Sequence, residues 1–272
     1  MVNKLYKIQK EQLSLEPKHQ SAIRDIRKRT YWDPTQAIFE KKLDYIISTK
    51  KIRQKDALVI ILDYLTEILL ESKNDVFKMI KLRGKDIQQA SKSAAGNNYQ
   101  ALVAYTLNRN IEAGNLPKDI VIALKPRKHP LVEEYTSIKV GEEIQKPDID
   151  VLIYQEKPKT PLIVCSCKTS LRERAGQTYK WKLLLDLATA DPKHLKENPE
   201  CPINKYKIEY KNERKIYVAM IIADLYNEIS QPQQRGMFAF FDLAYVTDFK
   251  KKNVLKSVKP LSKIIQELNK IY

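Results

Sequence analysis

The stretch "PLIVCSCK", residues 161–168, constrains the fold more than any other part of the chain. Read as a strand, it places Leu162, Val164, Ser166 and Lys168 on one face and Ile163, Cys165 and Cys167 on the other. Both faces stay apolar up to Cys165, which is the pattern of a central strand covered on both sides. A strand fraying into water would not keep a cysteine on the far face as late as position 167. Lys168 therefore leaves the end of a buried strand, with Ser166 beside it.

The surrounding segments supply the layers that such a strand needs. The first ninety residues or so read as helical. "DPTQAIFEKKLDYIISTKK" opens with Asp33-Pro34, a helix-start signal, and brings Ile38, Leu43, Ile46 and Ile47 near one face. "KDALVIILDYLTEILLES", 55–72, is apolar over most of its circumference and predicts a buried helix. "RGKDIQQASKSAAGNNYQ", 83–100, is small, polar and basic and reads as a connection; a helix resumes from Tyr99 and stops at Gly114. Strands follow at 119–125, 148–155 and 161–168, then a helix at 175–190, strands at 215–226 and 236–246, and a terminal amphipathic helix from Pro260. The order predicts an α/β fold: a central mixed sheet flanked by helices, with an α-helical N-terminal subdomain over 1–82 and the sheet-bearing domain over 83–272.

Charge narrows the partner. Lys and Arg number 49 against 33 Asp and Glu, a net charge of +16 over 272 residues. Such an excess repels itself in a compact state and points to a polyanion, with nucleic acid favoured over a ribosomal or membrane surface. No apolar run approaches the ~18–20 residues of a membrane span, and "MVNKLYKIQKEQ" lacks the apolar core of a signal peptide. Cys165, Cys167 and Cys201 are too few and too oddly spaced for a disulfide framework, which suits a reducing cytoplasm. A zinc site from these three and His194 is a weak alternative, since Cys-x-Cys in a strand turns both thiols to one face.

A second strand enters through Pro147-Asp148, where proline has no ladder N–H to lose. Asp148 and Asp150 project to one face, and a hairpin of this strand with 161–168 brings Asp148 near Lys168. A carboxylate and a lysine at a strand end, in so basic a chain, suit phosphodiester hydrolysis assisted by Mg²⁺. The Asp holds the metal, and the Lys steers the nucleophile and stabilises the charged transition state.

These residues resemble the PD-(D/E)XK nucleases, with "PD" at 147–148 and "SCK" at 166–168. "KTSLRERAGQ", 168–177, is similar to the segment after the catalytic lysine in EcoRII and the CCGG-reading restriction endonucleases, and the form of the motif points to their BsaWI/AgeI branch. The resemblance covers roughly residues 97 to 190. It implies that Asp148, Ser166 and Lys168 are catalytic, and that Arg172, Glu173, Arg174 and Gln177 contact DNA. It further implies a bacterial cytoplasmic type II restriction endonuclease, a homodimer or larger assembly, that cuts duplex DNA around CCGG with Mg²⁺ and leaves 5′ extensions. The triplet has its own chemistry. Arg forks onto guanine O6 and N7, and a carboxylate accepts from cytosine N4. Two subunits about a two-fold axis would read a palindrome.

One departure stands out. The resemblance places a glutamate thirteen or fourteen residues after the lysine, where this chain has Trp181 and Lys182. Glu112, near the end of the preceding helix, is the first candidate for the second catalytic acid and metal ligand; Asp186 is the second. Lys85 and Lys92, in the basic stretch, are candidates for phosphate contacts. Two rival readings remain: a repair or junction-resolving nuclease of the same superfamily, and a non-catalytic nucleic-acid-binding protein in which Asp148 and Lys168 form a structural ion pair.

Overall fold

The computed structural model describes residues 17–84, 86–126, 128–190, 200–210, 214–225, 228–248 and 257–272. Its N-terminal half is helical: α1 (Pro17–Arg27), α2 (Trp32–Lys50), α3 (Gln54–Ile60), α4 (Leu65–Glu71), α5 (Lys73–Leu82) and α6 (Ile87–Glu112). The apolar run at 55–72 is broken by a 3₁₀ turn at Ile61–Tyr64, where Asp63 Oδ1 accepts the Ser262 N–H at 2.8 Å. α6 corrects the reading of 83–98 as a connection. Asp86 caps it, accepting the Gln89 N–H at 2.9 Å, and the Ala, Gln and Ser residues that follow contain no breaker strong enough to stop it. The helix runs 26 residues, or about 39 Å at 1.5 Å per residue.

The strands are β1 (Val121–Leu124), β2 (Ile138–Val140), β3 (Glu143–Gln145), β4 (Val151–Tyr154), β5 (Leu162–Lys168), β6 (Ile208–Glu209), β7 (Ile216–Ile222), β8 (Leu243–Val246) and β9 (Val258–Pro260). Among the described residues they form a six-stranded sheet, ordered β1-β4-β5-β7-β8-β9, and a small one, β3-β2-β6. The first three strands of the large sheet pair antiparallel and the rest parallel, so the sheet is mixed. Between them lie the helices α7 (Pro130–Tyr135), α8 (Arg172–Ala188), α9 (Pro202–Lys205) and α10 (Pro232–Met237), and α11 (Ile264–Ile271) follows the last strand. The strand read at 236–246 is only its last four residues. Gly236–Phe240 is helical, and Phe238 and Phe241 are buried beneath α8 on the sheet face, a use of an apolar run that periodicity cannot tell from a buried strand.

Both faces of β5 are covered, and all seven of its residues are buried. Ile163, Cys165 and Cys167 enter one core cluster, with α2, α4 and α6 and the C-terminal helix α11. Leu162 and Val164 enter the other, with Trp181 and Leu185 of α8. Each such aliphatic side chain contributes about 1.5–3 kcal/mol on burial, so the strand is fixed in register from both sides. The N-terminal helices bury Trp32, Phe39, Leu43, Leu62 and Leu65 in the same cluster as the sheet. Thr66 of α4 also donates to Ala223 O, just past β7, at 2.9 Å.

Candidate active site

β4 and β5 pair antiparallel, Val151 opposite Cys165, so the start of one strand meets the end of the other. That register brings the residues before Val151 alongside Ser166 and Lys168. The Lys168 Nζ lies 2.7 Å from Asp148 Oδ2 and 3.0 Å from Asp150 Oδ2. Asp148 remains 30% exposed in its side chain, whereas Asp150 and Lys168 are nearly sealed at 8% and 7%.

The two carboxylates differ in what they have left to offer. Asp150 is braced from three sides. Its Oδ2 accepts the Cys167 N–H at 2.8 Å as well as Lys168, and its Oδ1 accepts Gln100 Nε2 at 2.6 Å. Asp148 accepts only from Lys168 among the described residues, which leaves its Oδ1 without a protein donor. Burial works against the ammonium of Lys168, but Asp150 and Asp148 more than offset it and hold its pKa above the ordinary lysine value. Burial raises the Asp150 pKa, and the Lys168 charge and the Cys167 N–H only partly restore its acidity. One cation thus faces two carboxylates, and the cluster keeps an excess of negative charge.

A divalent cation would find a suitable set of donors here. Besides Asp148 Oδ1, the Gln100 Oε1 is buried and, among the described residues, without a hydrogen-bond partner, a costly state unless something accepts its lone pairs. All these donors are oxygens, which match hard Mg²⁺, an ion held by one or two carboxylates and completed by water and phosphate. Among the described residues no group of three or more His, Cys, Asp and Glu side chains is placed to hold a metal. Cys165 and Cys167 face the core and Cys201 is buried elsewhere, while His194 lies outside the described residues.

The remaining candidates separate clearly. Ser166 is buried, and its Oγ accepts from Thr178 Oγ1 of α8 at 3.0 Å, which ties that helix to the strand carrying Lys168. Arg172, Glu173 and Arg174 are the first three residues of α8; their side chains lie outside the described part of the structure. Gln177, one turn on, is exposed. Lys92 is exposed on α6, eight residues before Gln100, and Lys85 lies outside the described residues.

Glu112 is not brought to the cluster. It follows Gln100 by twelve residues on the same helix, about 18 Å along the axis. There it pairs with Arg109 Nε at 3.4 Å, and Arg109 also binds Glu40 at 2.7 Å. Burial raises its pKa against the opposing pull of Arg109 and Arg27. Asp186 is likewise elsewhere, eight residues or about 12 Å beyond Thr178 on α8. It is half-exposed and pairs with Lys182, which also reaches Asp242 at 3.3 Å. Trp181 packs in the core, so the position expected to hold a glutamate is used for packing. The residues missed from sequence were Asp150 and Gln100. Alternation had put Asp150 on the same face as Asp148, and Gln100 is a partly buried polar residue in an apolar stretch of helix, which demands a partner.

No curated protein matches the chain. Residues 128–270, more than half of it, match the family model described as BsaWI restriction endonuclease type 2. That span contains Asp148, Asp150, Ser166 and Lys168, and α6 lends Gln100 from outside it. The matched length and the buried Asp-Asp-Lys cluster within it lead to one conclusion: the chain belongs to the BsaWI family of type 2 restriction endonucleases.

Proposed function

We propose that this restriction endonuclease hydrolyses both strands of duplex DNA with Mg²⁺, as a homodimer or larger assembly, at a palindrome centred on CCGG, and leaves 5′ extensions. The observation that carries the reading is Lys168 held between Asp148 and Asp150 at the end of a buried strand, four residues before the triplet Arg172-Glu173-Arg174. A bound Mg²⁺ would supply Lewis acidity toward the scissile phosphate and lower the pKa of the attacking water. Asp148 is the residue to hold it, through the oxygen that accepts no hydrogen bond from the described residues, with Gln100 Oε1 beside the braced Asp150. Lys168, kept cationic by its two neighbours, orients the nucleophile and stabilises charge on the phosphate. Ser166 acts through Thr178, positioning α8 and hence the triplet.

Recognition falls to Arg172, Glu173, Arg174 and Gln177 at the start of α8, where a helix N-terminus presents side chains to base edges. The net charge of +16 provides the sequence-independent attraction, with Lys85 and Lys92 as phosphate contacts. The unit from residue 83 onward carries the chemistry in this reading, and 1–82 supports it and reaches flanking DNA.

The test is digestion of plasmid and phage DNA with Mg²⁺, followed by sequencing of the ends. Discrete fragments whose ends map to one CCGG-centred palindrome with 5′ extensions are expected. Cleavage only of branched substrates would favour a junction-resolving nuclease, and intact DNA a binding protein.

A further inference from the structure

The short linker between the catalytic lysine and the reading triplet is held along its whole length by one other segment. Lys168 O accepts the Ala223 N–H at 3.0 Å, and Thr169 O accepts the Leu225 N–H at 3.3 Å. The Ser170 hydroxyl donates to Glu228 Oε1 at 3.4 Å, and the Leu171 N–H donates to Glu228 Oε2. Four consecutive residues, 168 to 171, are therefore tied to Ala223, Leu225 and Glu228, which follow β7 in the chain. Glu228 makes the last two ties, immediately before α8 begins at Arg172.

Glu228 is itself held in place. Asp224 sits in the left-handed region at φ +47°, a conformation that Asp tolerates better than most residues. From there its Oδ1 accepts the N–H of Glu228 at 2.7 Å and of Ile229 at 3.2 Å. Glu228 and Asp224 are each only 4% exposed. A buried carboxylate at a helix N-terminus answers an orphan N–H and the positive end of the helix dipole, and charge-assisted bonds of this kind are the strong ones. Capping a helix needs only a local Ser or Asp; here the cap comes from 57 residues away, off the strand beside the lysine.

We infer that Glu228 is a positioning residue that sets the register of Arg172-Glu173-Arg174 relative to Lys168, so that base reading and cleavage stay matched. The inference rests on the proposed role of the triplet. A shift of the helix start by a fraction of an ångström loosens both arginine forks while leaving the Asp148–Lys168 geometry on β4 and β5 intact. Loss of this tie should therefore lower discrimination between sites more than it lowers cleavage at a permissive one.

The test uses the full chain and plasmids that carry the mapped site or single base-pair changes in its centre. Single-turnover cleavage rates in Mg²⁺ give the discrimination ratio. Glu228→Asp keeps the charge but withdraws the carboxylate by one methylene; the ratio should fall about ten-fold, the factor that corresponds to ~1.4 kcal/mol. Glu228→Gln keeps the reach and an acceptor for Leu171 N–H, and should stay within about two-fold of wild type, well under that energy. Comparing these two milder variants avoids relying on Glu228→Ala, which risks unfolding. Wild-type ratios in both variants would overturn the inference. Arg172→Ala and Arg174→Ala serve as the control on the underlying reading. If they erase site preference while Glu228→Asp leaves it intact, only the inference fails; if they leave it unchanged, the reading of the triplet fails with it.

Discussion

The two ends of the functional stretch of α6 carry similar ingredients and differ in what they can do. Near Gln100, Lys168 sits between Asp148 and Asp150; near Glu112, Arg109 sits between Glu40 and Glu112. At the second end the guanidinium also bonds the Tyr105 hydroxyl at 2.9 Å, and Arg27 adds its charge, so the acids are answered. At the first end, among the described residues, one cation serves two carboxylates, an Asp148 oxygen has no protein donor and the Gln100 oxygen has no partner. A buried acid thus marks an active site only when its neighbours leave charge and lone pairs over. By that criterion the proposed reading places Glu112 in the scaffold.

The comparison can be broken by substitution. Lys168→Ala should lower single-turnover cleavage by about 10²–10³-fold while gel-shift affinity for DNA persists, because transition-state stabilisation is lost and the basic surface is not. Retained cleavage would dissolve the distinction between the two ends. Gln100→Ala should weaken Mn²⁺ or Mg²⁺ binding by about 10-fold or more, measured by calorimetry on the protein, since it removes both the brace on Asp150 and the unpartnered oxygen. Unchanged metal affinity would remove Gln100 from the site. Glu112→Gln should cost about 1 kcal/mol of stability in chemical denaturation and leave cleavage per folded molecule unaltered.

Two smaller effects sharpen it. The raised pKa of Lys168 gives a linkage with a definite sign. Its contribution to stability is fully present below the unfolded lysine value of about 10.4 and is lost as pH rises through the higher folded value. Denaturation curves from neutral to alkaline pH should show that loss in wild type and less of it in Lys168→Met. Lys92→Ala should weaken binding to all sequences alike and reduce the salt slope by about 1; a loss confined to one sequence would contradict a phosphate contact.

Much of the Asp148–Lys168 end was legible because strand alternation is a hard rule. The partition of residues 162–168 between two covered faces, and the meeting of Asp148 with Lys168, followed from parity and a hairpin. What sequence could not give was which part of the helix from Tyr99 meets the strand end: Gln100 and Glu112 lie on that same helix, and it is the Gln100 end that bonds Asp150. Asp186 lies away from Lys168 because its helix anchors to Ser166 at Thr178 and carries the carboxylate on to Lys182. Glu228 was invisible because its partner, Leu171, is joined to it only by the parallel crossover.

The most direct measurement compares Asp148→Ala with Glu112→Gln on plasmid DNA in Mg²⁺, each checked for DNA binding and thermal melting. Asp148→Ala should bind DNA and leave the plasmid supercoiled, while Glu112→Gln yields the wild-type fragments. Cleavage by the first variant, or its loss in a well-folded second, would contradict the assignment of catalysis to the Asp148–Asp150–Lys168 end.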